Sequence, residues 1–165
     1  MEELKYDRTE ELVPVETDGK WLTFRLDGQL YGVPVSCVEQ ILSMMPITEV
    51  PEYPYYSKGI INVRGSIVPV IDLRLRLGRT EAENTDYSCI IICRIHENLI
   101  GFIADGVDSV LEIPEDSITA PPQIGGNSDA SYLTGIARII GEDQTETLVL
   151  CLDAVQALLN TDQDN

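Results

Sequence analysis

The chain has 165 residues, 44% of them hydrophobic, and a formal charge of −17, which fits one globular domain or two small ones sharing a core. With 28 Asp and Glu against 11 Lys and Arg, the surface repels phosphate backbones and anionic lipid headgroups, which argues against nucleic acid and membrane partners. No apolar run approaches the roughly 20 residues that cross a bilayer. Residues 1–19 lack the basic-then-apolar order of a signal peptide, so the cytoplasm is the expected compartment.

Residues 1–19 carry Glu2, Glu3, Asp7, Glu10, Glu11, Glu16 and Asp18 and read as a flexible acidic arm. From Trp21 to Leu26 apolar and polar residues alternate at the strand period. Asp27-Gly28 then marks a hairpin, and residues 29–35 return as a second strand. Ser36 and Glu39 have capping-box spacing, so a helix with Val38, Ile41 and Leu42 as its apolar stripe is expected next. Pro46, Pro51 and Pro54 make the following stretch extended. Residues 59–64 and 67–71 read as strands joined at Gly65-Ser66. Asp72 caps a short helix to Leu77, Gly78 ends it, and residues 79–86 form a polar linker.

A second series follows. Residues 87–95 and 99–104 read as strands around His96-Glu97-Asn98, and residues 107–113 form a short segment stopped by Pro114. Pro121-Pro122 leads into a flexible loop over residues 125–131. Residues 132–140 and 145–152 make another strand pair. Asp153 begins a last helix over residues 153–159, and residues 161–165 are a polar tail.

The two series match in spacing. Tyr31-Gly32 is followed by Val38 and Ile41-Leu42, and Ile100-Gly101 is followed at the same intervals by Val107 and Val110-Leu111. Pro51, Gly59-Ile60, Gly65 and Asp72 find counterparts in Pro121, Gly135-Ile136, Gly141 and Asp153. A duplicated unit is the simplest reading, and short strands with frequent turns favour two small β-barrels packed side by side. The first is expected at about residues 20–80 and the second at about 87–152.

No catalytic constellation is legible. His96 is the only histidine and falls in a hairpin turn, so a nucleophile–base pair would rest on it alone. Asp105 beside Gly106 reads as a turn or cap residue. No glycine-rich phosphate loop is present, and the carboxylates concentrate in turns and termini. Cys89 and Cys93 lie on one face of an apolar strand. Neither they nor Cys37 and Cys151 make a second ligand pair for a tetrahedral metal site, and all four read as structural. No metal, cofactor or catalytic residue is assigned.

The densest segment is residues 59–74: a strand, a glycine turn, a second strand with a proline at a bulge or edge, and a capped helix. Arg64 is expected to leave its strand just before the turn and reach an adjoining surface. Here the sequence resembles the CheW-like family, whose signature G-x-x-N-x-R-G-x-x-x-P-x-x-D-L is met by Gly59, Asn62, Arg64, Gly65, Pro69, Asp72 and Leu73. Upstream, Tyr31-Gly32, Val38 and Ile41 also fit. Downstream, Gly101, Asp105, Val107, Val110, Pro121-Pro122, Tyr132, Gly135-Ile136 and Asp153 fit as well.

That resemblance implies a mainly β fold over residues 20–160, with two intertwined SH3-like subdomains of about five strands each and short helices. It implies a non-catalytic adaptor, without cofactor, that bridges the helical tip of a chemoreceptor and the regulatory domain of the histidine kinase CheA. Such an adaptor is recruited to membrane receptor arrays without inserting in the bilayer. An adaptor of a different chemosensory pathway, for motility or surface sensing, is the alternative. The residues matching the family's receptor side are Val38, Gly59, Arg64, Cys89 and Val110: apolar contact from Val38 and Val110, close backbone approach at Gly59, orientation from Arg64. The family usually carries Glu at the position of Gln40. If that Glu pairs with the arginine matching Arg64, Gln40 offers only a neutral hydrogen bond, about half as strong, and Arg64 turns to Glu39 or to a receptor carboxylate.

Overall fold

A computed structural model describes residues 19–80, 82–122 and 132–159. The acidic arm, except Gly19, the 125–131 loop and the polar tail lie outside the described residues. The fold is mainly β. Its strands are β1 (Lys20–Leu26), β2 (Gln29–Pro34), β3 (Val38–Ser43), β4 (Ser57–Val63), β5 (Ser66–Ile71), β6 (Cys89–Ile95), β7 (Asn98–Ala104), β8 (Gly106–Glu112), β9 (Ile118–Thr119), β10 (Leu133–Ile140) and β11 (Glu146–Leu152). One sheet runs β8-β1-β2-β11-β10-β9 and the other β3-β6-β7-β5-β4. We call them the first and second sheet.

The turns follow the local chemistry. Asp27-Gly28 and Arg64-Gly65 both place two successive residues at positive φ, 55° and 79°, then 54° and 89°. Those are type I′ values, whose twist matches the flanking strands. Arg64 is thus inside its turn, not before it. Asn62 Oδ1 accepts the Gly65 N–H at 2.8 Å and fixes that turn. Asp72 caps helix α1 (Leu73–Arg76) by accepting from the N–H groups of Arg74 and Leu75, as expected. The last helix spans Val155–Leu159 and is wound as a π-helix.

The expected helix after Ser36 does not form. Val35–Cys37 make a single 3-10 turn, and Val38–Ser43 continue as strand β3. The register slips between Val38 and Gln40 opposite Cys93 and Ile92. This bulge adds one residue, so Val38 and Ile41 point into the same core although they are three apart. A bulged strand thereby imitates helical spacing. Pro69 also differs from expectation, since β5 is an inner strand. Ile60, its partner across the ladder, exchanges both backbone hydrogen bonds with Thr48 on the other side. The Ile60–Pro69 pair is therefore non-hydrogen-bonded, and the proline nitrogen faces β7, which β5 joins only from Val70.

Each sheet curls around a core of its own. Leu42 on β3 and Ile61 on β4 belong to opposite edges of the second sheet, yet meet in one cluster with Val68, Val70, Ile90, Ile92 and Ile103. A flat five-stranded sheet would hold its edges roughly 19 Å apart. Trp21, Leu30, Ile113, Ala137, Val149 and Cys151 fill the first sheet in the same way. The outer faces then pack on each other. Phe24 and Phe102 touch at 5.1 Å between ring centroids, within a central core that also holds Leu22, Val33, Val38, Ile91 and Leu152. Burial on both faces explains the unbroken apolar run of β6.

The duplication is visible in the hydrogen bonds, but the halves exchange strands. β2 runs parallel to β11, with Gly32 opposite Cys151, and β7 runs parallel to β5, with Gly101 opposite Val70. Thr48 bridges Ile60 as Thr119 pairs with Ile136. The Asp72 N–H donates to Tyr56 O as the Asp153 N–H donates to Tyr132 O. The first sheet takes β1 and β2 from the first half and β8 to β11 from the second, whereas the second sheet takes β3, β4 and β5 from the first half and β6 and β7 from the second. The contiguous division at residues 20–80 and 87–152 is therefore corrected to an interleaved one. Repeat spacing identifies equivalent strands; it does not say which strands pair.

Asp105 acts as the turn residue it was read to be. Its Oδ2 accepts the Asp27 N–H at 2.7 Å, and its Oδ1 is ion-paired with Arg74, which is buried. Asp105→Ala leaves that guanidinium without its carboxylate, so a loss of about 2–3 kcal/mol in urea unfolding is expected. Asp105→Asn, which keeps the hydrogen-bond geometry, should lose less.

Candidate partner-binding site

The two edges of the second sheet, β3 and β4, face each other across an open seam. Arg64 projects from the β4–β5 turn and lines two adjoining cavities along it. One, of about 340 Å³, is bounded by Glu39, Gln40, Val63, Ser66, Val68, Ile92 and Leu99. The other, of about 210 Å³, is bounded by Leu42, Ser43, Met44, Met45, Asn62 and Val63. Val68, Ile92 and Leu42 belong to the second core, so the floor of the seam is apolar. Its rim is polar and carries the Arg64 guanidinium. Two unbranched methionines give it an adaptable wall.

Gln40 and Arg64 share the larger cavity. Glu39, the other acceptor considered for Arg64, is engaged by Arg94 through both carboxylate oxygens, at 3.1 and 3.3 Å. That paired contact holds the Arg94 proton above its ordinary range.

The five residues matched to a receptor side separate into two groups. Val38 and Cys89 are buried in the central core. Gly59 is buried too, and its close approach serves this chain: a Cβ there would stand 2.0 Å from Thr48 O. In the isolated chain these three present almost no surface to a partner. Arg64 and Val110 are exposed, Val110 by 44%. Val38, Gly59 and Cys89 lie on strands of the second sheet and Arg64 in its β4–β5 turn, spread along the sheet, whereas Val110 is on β8, an edge of the first. Of the motif residues, Asn62 and Gly65 build the turn, and Pro69 and Asp72 lead β5 into α1. Gly101 packs under Ile90 and Val70, and Asp105 ties α1 to the β1–β2 turn.

Sequence reasoning missed Met44 and Met45, whose adjacency just beyond an edge strand was the available signal. It also missed Arg76, which is buried between Tyr56 and Tyr132 at 4.5 and 5.1 Å from their ring centroids. The Tyr56–Tyr132 equivalence in the repeat was the signal there. His96 and Asp105 lie at opposite ends of the seven-residue β7, roughly 20 Å or more apart at strand rise, so they do not form a joint site. Among the described residues no group of three His, Cys, Asp or Glu is placed to hold a metal ion.

Comparison with known proteins gives consistent results. The CheW-like domain family matches residues 20–163. The probable chemotaxis protein CheW of Rhizobium etli is 29% identical over 143 residues, covering 87% of this chain and 88% of that protein. The chemotaxis protein CheW of Bacillus subtilis is 36% identical over 109 residues, covering 66% and 70%. Among solved structures, the scaffolding protein TtCheW from Thermoanaerobacter tengcongensis superposes with a TM-score of 0.71 at 34% identity, covering 86% of each chain.

Proposed function

The chain belongs to the CheW-like domain family, and from that premise we propose that it is a non-catalytic adaptor coupling chemoreceptors to a CheA-type histidine kinase. The observation that carries this reading is that the matched domain takes in both curled sheets and all described strands. What it exposes is an apolar, arginine-rimmed seam. A rigid body with one such surface acts by holding partners at a fixed geometry. No helix among the described residues is long and apolar enough to cross a membrane. On the strength of its family we place the protein at receptor arrays through its receptor contact.

The receptor's helical tip is taken to present apolar anchors at helical spacing to the seam. Arg64 fixes orientation by pairing with a carboxylate or carbonyl of the tip, and the methionine wall accommodates the anchors. Val110 contributes from the neighbouring sheet edge, while Val38, Gly59 and Cys89 hold the seam in shape from beneath. Arg64→Ala is expected to weaken binding of a receptor-tip fragment about tenfold or more, which is about 1.4 kcal/mol. Its unfolding midpoint should stay at the wild-type value, since the side chain is exposed. Val110→Asp should behave likewise. Wild-type affinity in both folded variants would move the receptor surface elsewhere.

A further inference from the structure

Cys37 ends the 3-10 turn before β3, and the next residue, Val38, is the direct ladder partner of Cys93 on β6. A residue next to a paired position stands roughly 6 Å from the opposing Cα, inside the range that disulfides span. Strand alternation would send Cys37 and Val38 to opposite faces. The 3-10 turn breaks that alternation, so Cys37, Val38 and Cys93 all pack against the central core. Each thiol acts on the other's proton. They are also unequal. Cys37 is partly exposed and Cys93 is fully buried. The neighbouring Cys93 draws the Cys37 thiol below its ordinary range, while Cys37 and burial hold the Cys93 proton well above it. Cys151, buried far from this pair in the first sheet, is pushed up to about 11 by burial.

We propose that Cys37 and Cys93 are a peroxide-responsive disulfide site, with Cys37 the attacking and Cys93 the resolving residue. The Cys37 thiolate attacks one oxygen of hydrogen peroxide. A sulfur–oxygen bond forms, the oxygen–oxygen bond breaks, and hydroxide leaves to take up a proton as water. The Cys93 sulfur then attacks the Cys37 sulfenic sulfur and gives up its proton. The sulfur–sulfur bond forms, the sulfur–oxygen bond breaks, and the hydroxyl leaves with that proton as a second water. Two thiols lose two electrons, and one peroxide is reduced to two waters. The crosslink joins the entry of β3 to β6, next to the Glu39–Arg94 pair at the rim of the seam. This site does not depend on the adaptor reading.

The test is peroxide treatment of the folded full-length chain, followed by non-reducing peptide mapping by mass spectrometry. A linked Cys37–Cys93 peptide lighter by two hydrogens, reversed by dithiothreitol, is expected. Cys37 should react roughly tenfold or more faster than Cys89 or Cys151. In Cys93→Ala, dimedone should capture Cys37 as the sulfenic acid; should that variant not fold, the wild-type map decides alone. Linkage between any other cysteines would overturn the proposal. So would oxidation of Cys37 to sulfinic acid with Cys93 left as a thiol, or retention of all thiols at peroxide levels that oxidise glutathione.

Discussion

Gly59→Ala is expected to destabilise the domain by about 4 kcal/mol or more, the range reserved for substitutions that force the backbone apart. Two effects combine. Gly59 sits at φ +130°, a conformation that residues with a side chain rarely adopt, and its absent Cβ would meet Thr48 O at 2.0 Å and Thr48 C at 2.7 Å. Thr48 cannot retreat freely, because its N–H donates to Ile60 O and its oxygen accepts from the Ile60 N–H at 2.9 and 2.8 Å. That bridge fastens the chain leaving β3 onto β4, so relief at Gly59 opens the fold beside the seam. Two other glycines calibrate the effect. Gly135, the repeat equivalent, would meet Thr119 O at 2.5 Å without the positive φ, so Gly135→Ala should cost less. Gly65 has positive φ but nothing within 4 Å, and Gly65→Ala should cost only about 1–2 kcal/mol of backbone strain. Thermal unfolding checks the order. Equal midpoints for the Gly59 and Gly65 variants would contradict it.

Arg76→Ala should have the next largest effect, about 3–4 kcal/mol. The guanidinium donates from Nε to Ala157 O and from its NH2 group to Gln156 O, both at 3.1 Å, while Tyr56 and Tyr132 cover its faces. It ties α1 of the first half to the terminal helix of the second. Its removal leaves two carbonyls without donors in a buried place, each a loss of about 1–3 kcal/mol, and withdraws the ring contacts as well. Arg76→Lys keeps the charge but not the planar fork, so it should recover only part of the loss. Urea unfolding of the three proteins tests this. A lysine variant as stable as wild type would show that charge alone is what the site requires.

The strands with undisturbed alternation were legible, as were the Asp27-Gly28 hairpin, the Asp72 cap and the terminal helix after Asp153. Each is governed by residues next to one another. The β3 segment was not. Its bulge gave Val38 and Ile41 a helical interval, and Ser36 with Glu39 supplied a capping pattern that the 3-10 turn does not use. The Arg64 signature led directly to the seam, because Asn62, Arg64 and Gly65 build one turn. The partition of Val38, Gly59 and Cys89 into the interior could not be read, since it depends on which sheet covers each face. Arg76 has no neighbour in sequence that marks it as buried. Only the meeting of the two halves places a tyrosine on each side of it, and that meeting is set by the exchange of strands between repeats.

The adaptor account is tested most directly by calorimetric titration of the purified protein with the regulatory domain of the CheA-type kinase from its own organism. Saturable binding near one to one is the expected result. Absence of binding by a protein shown to be folded would contradict the adaptor account.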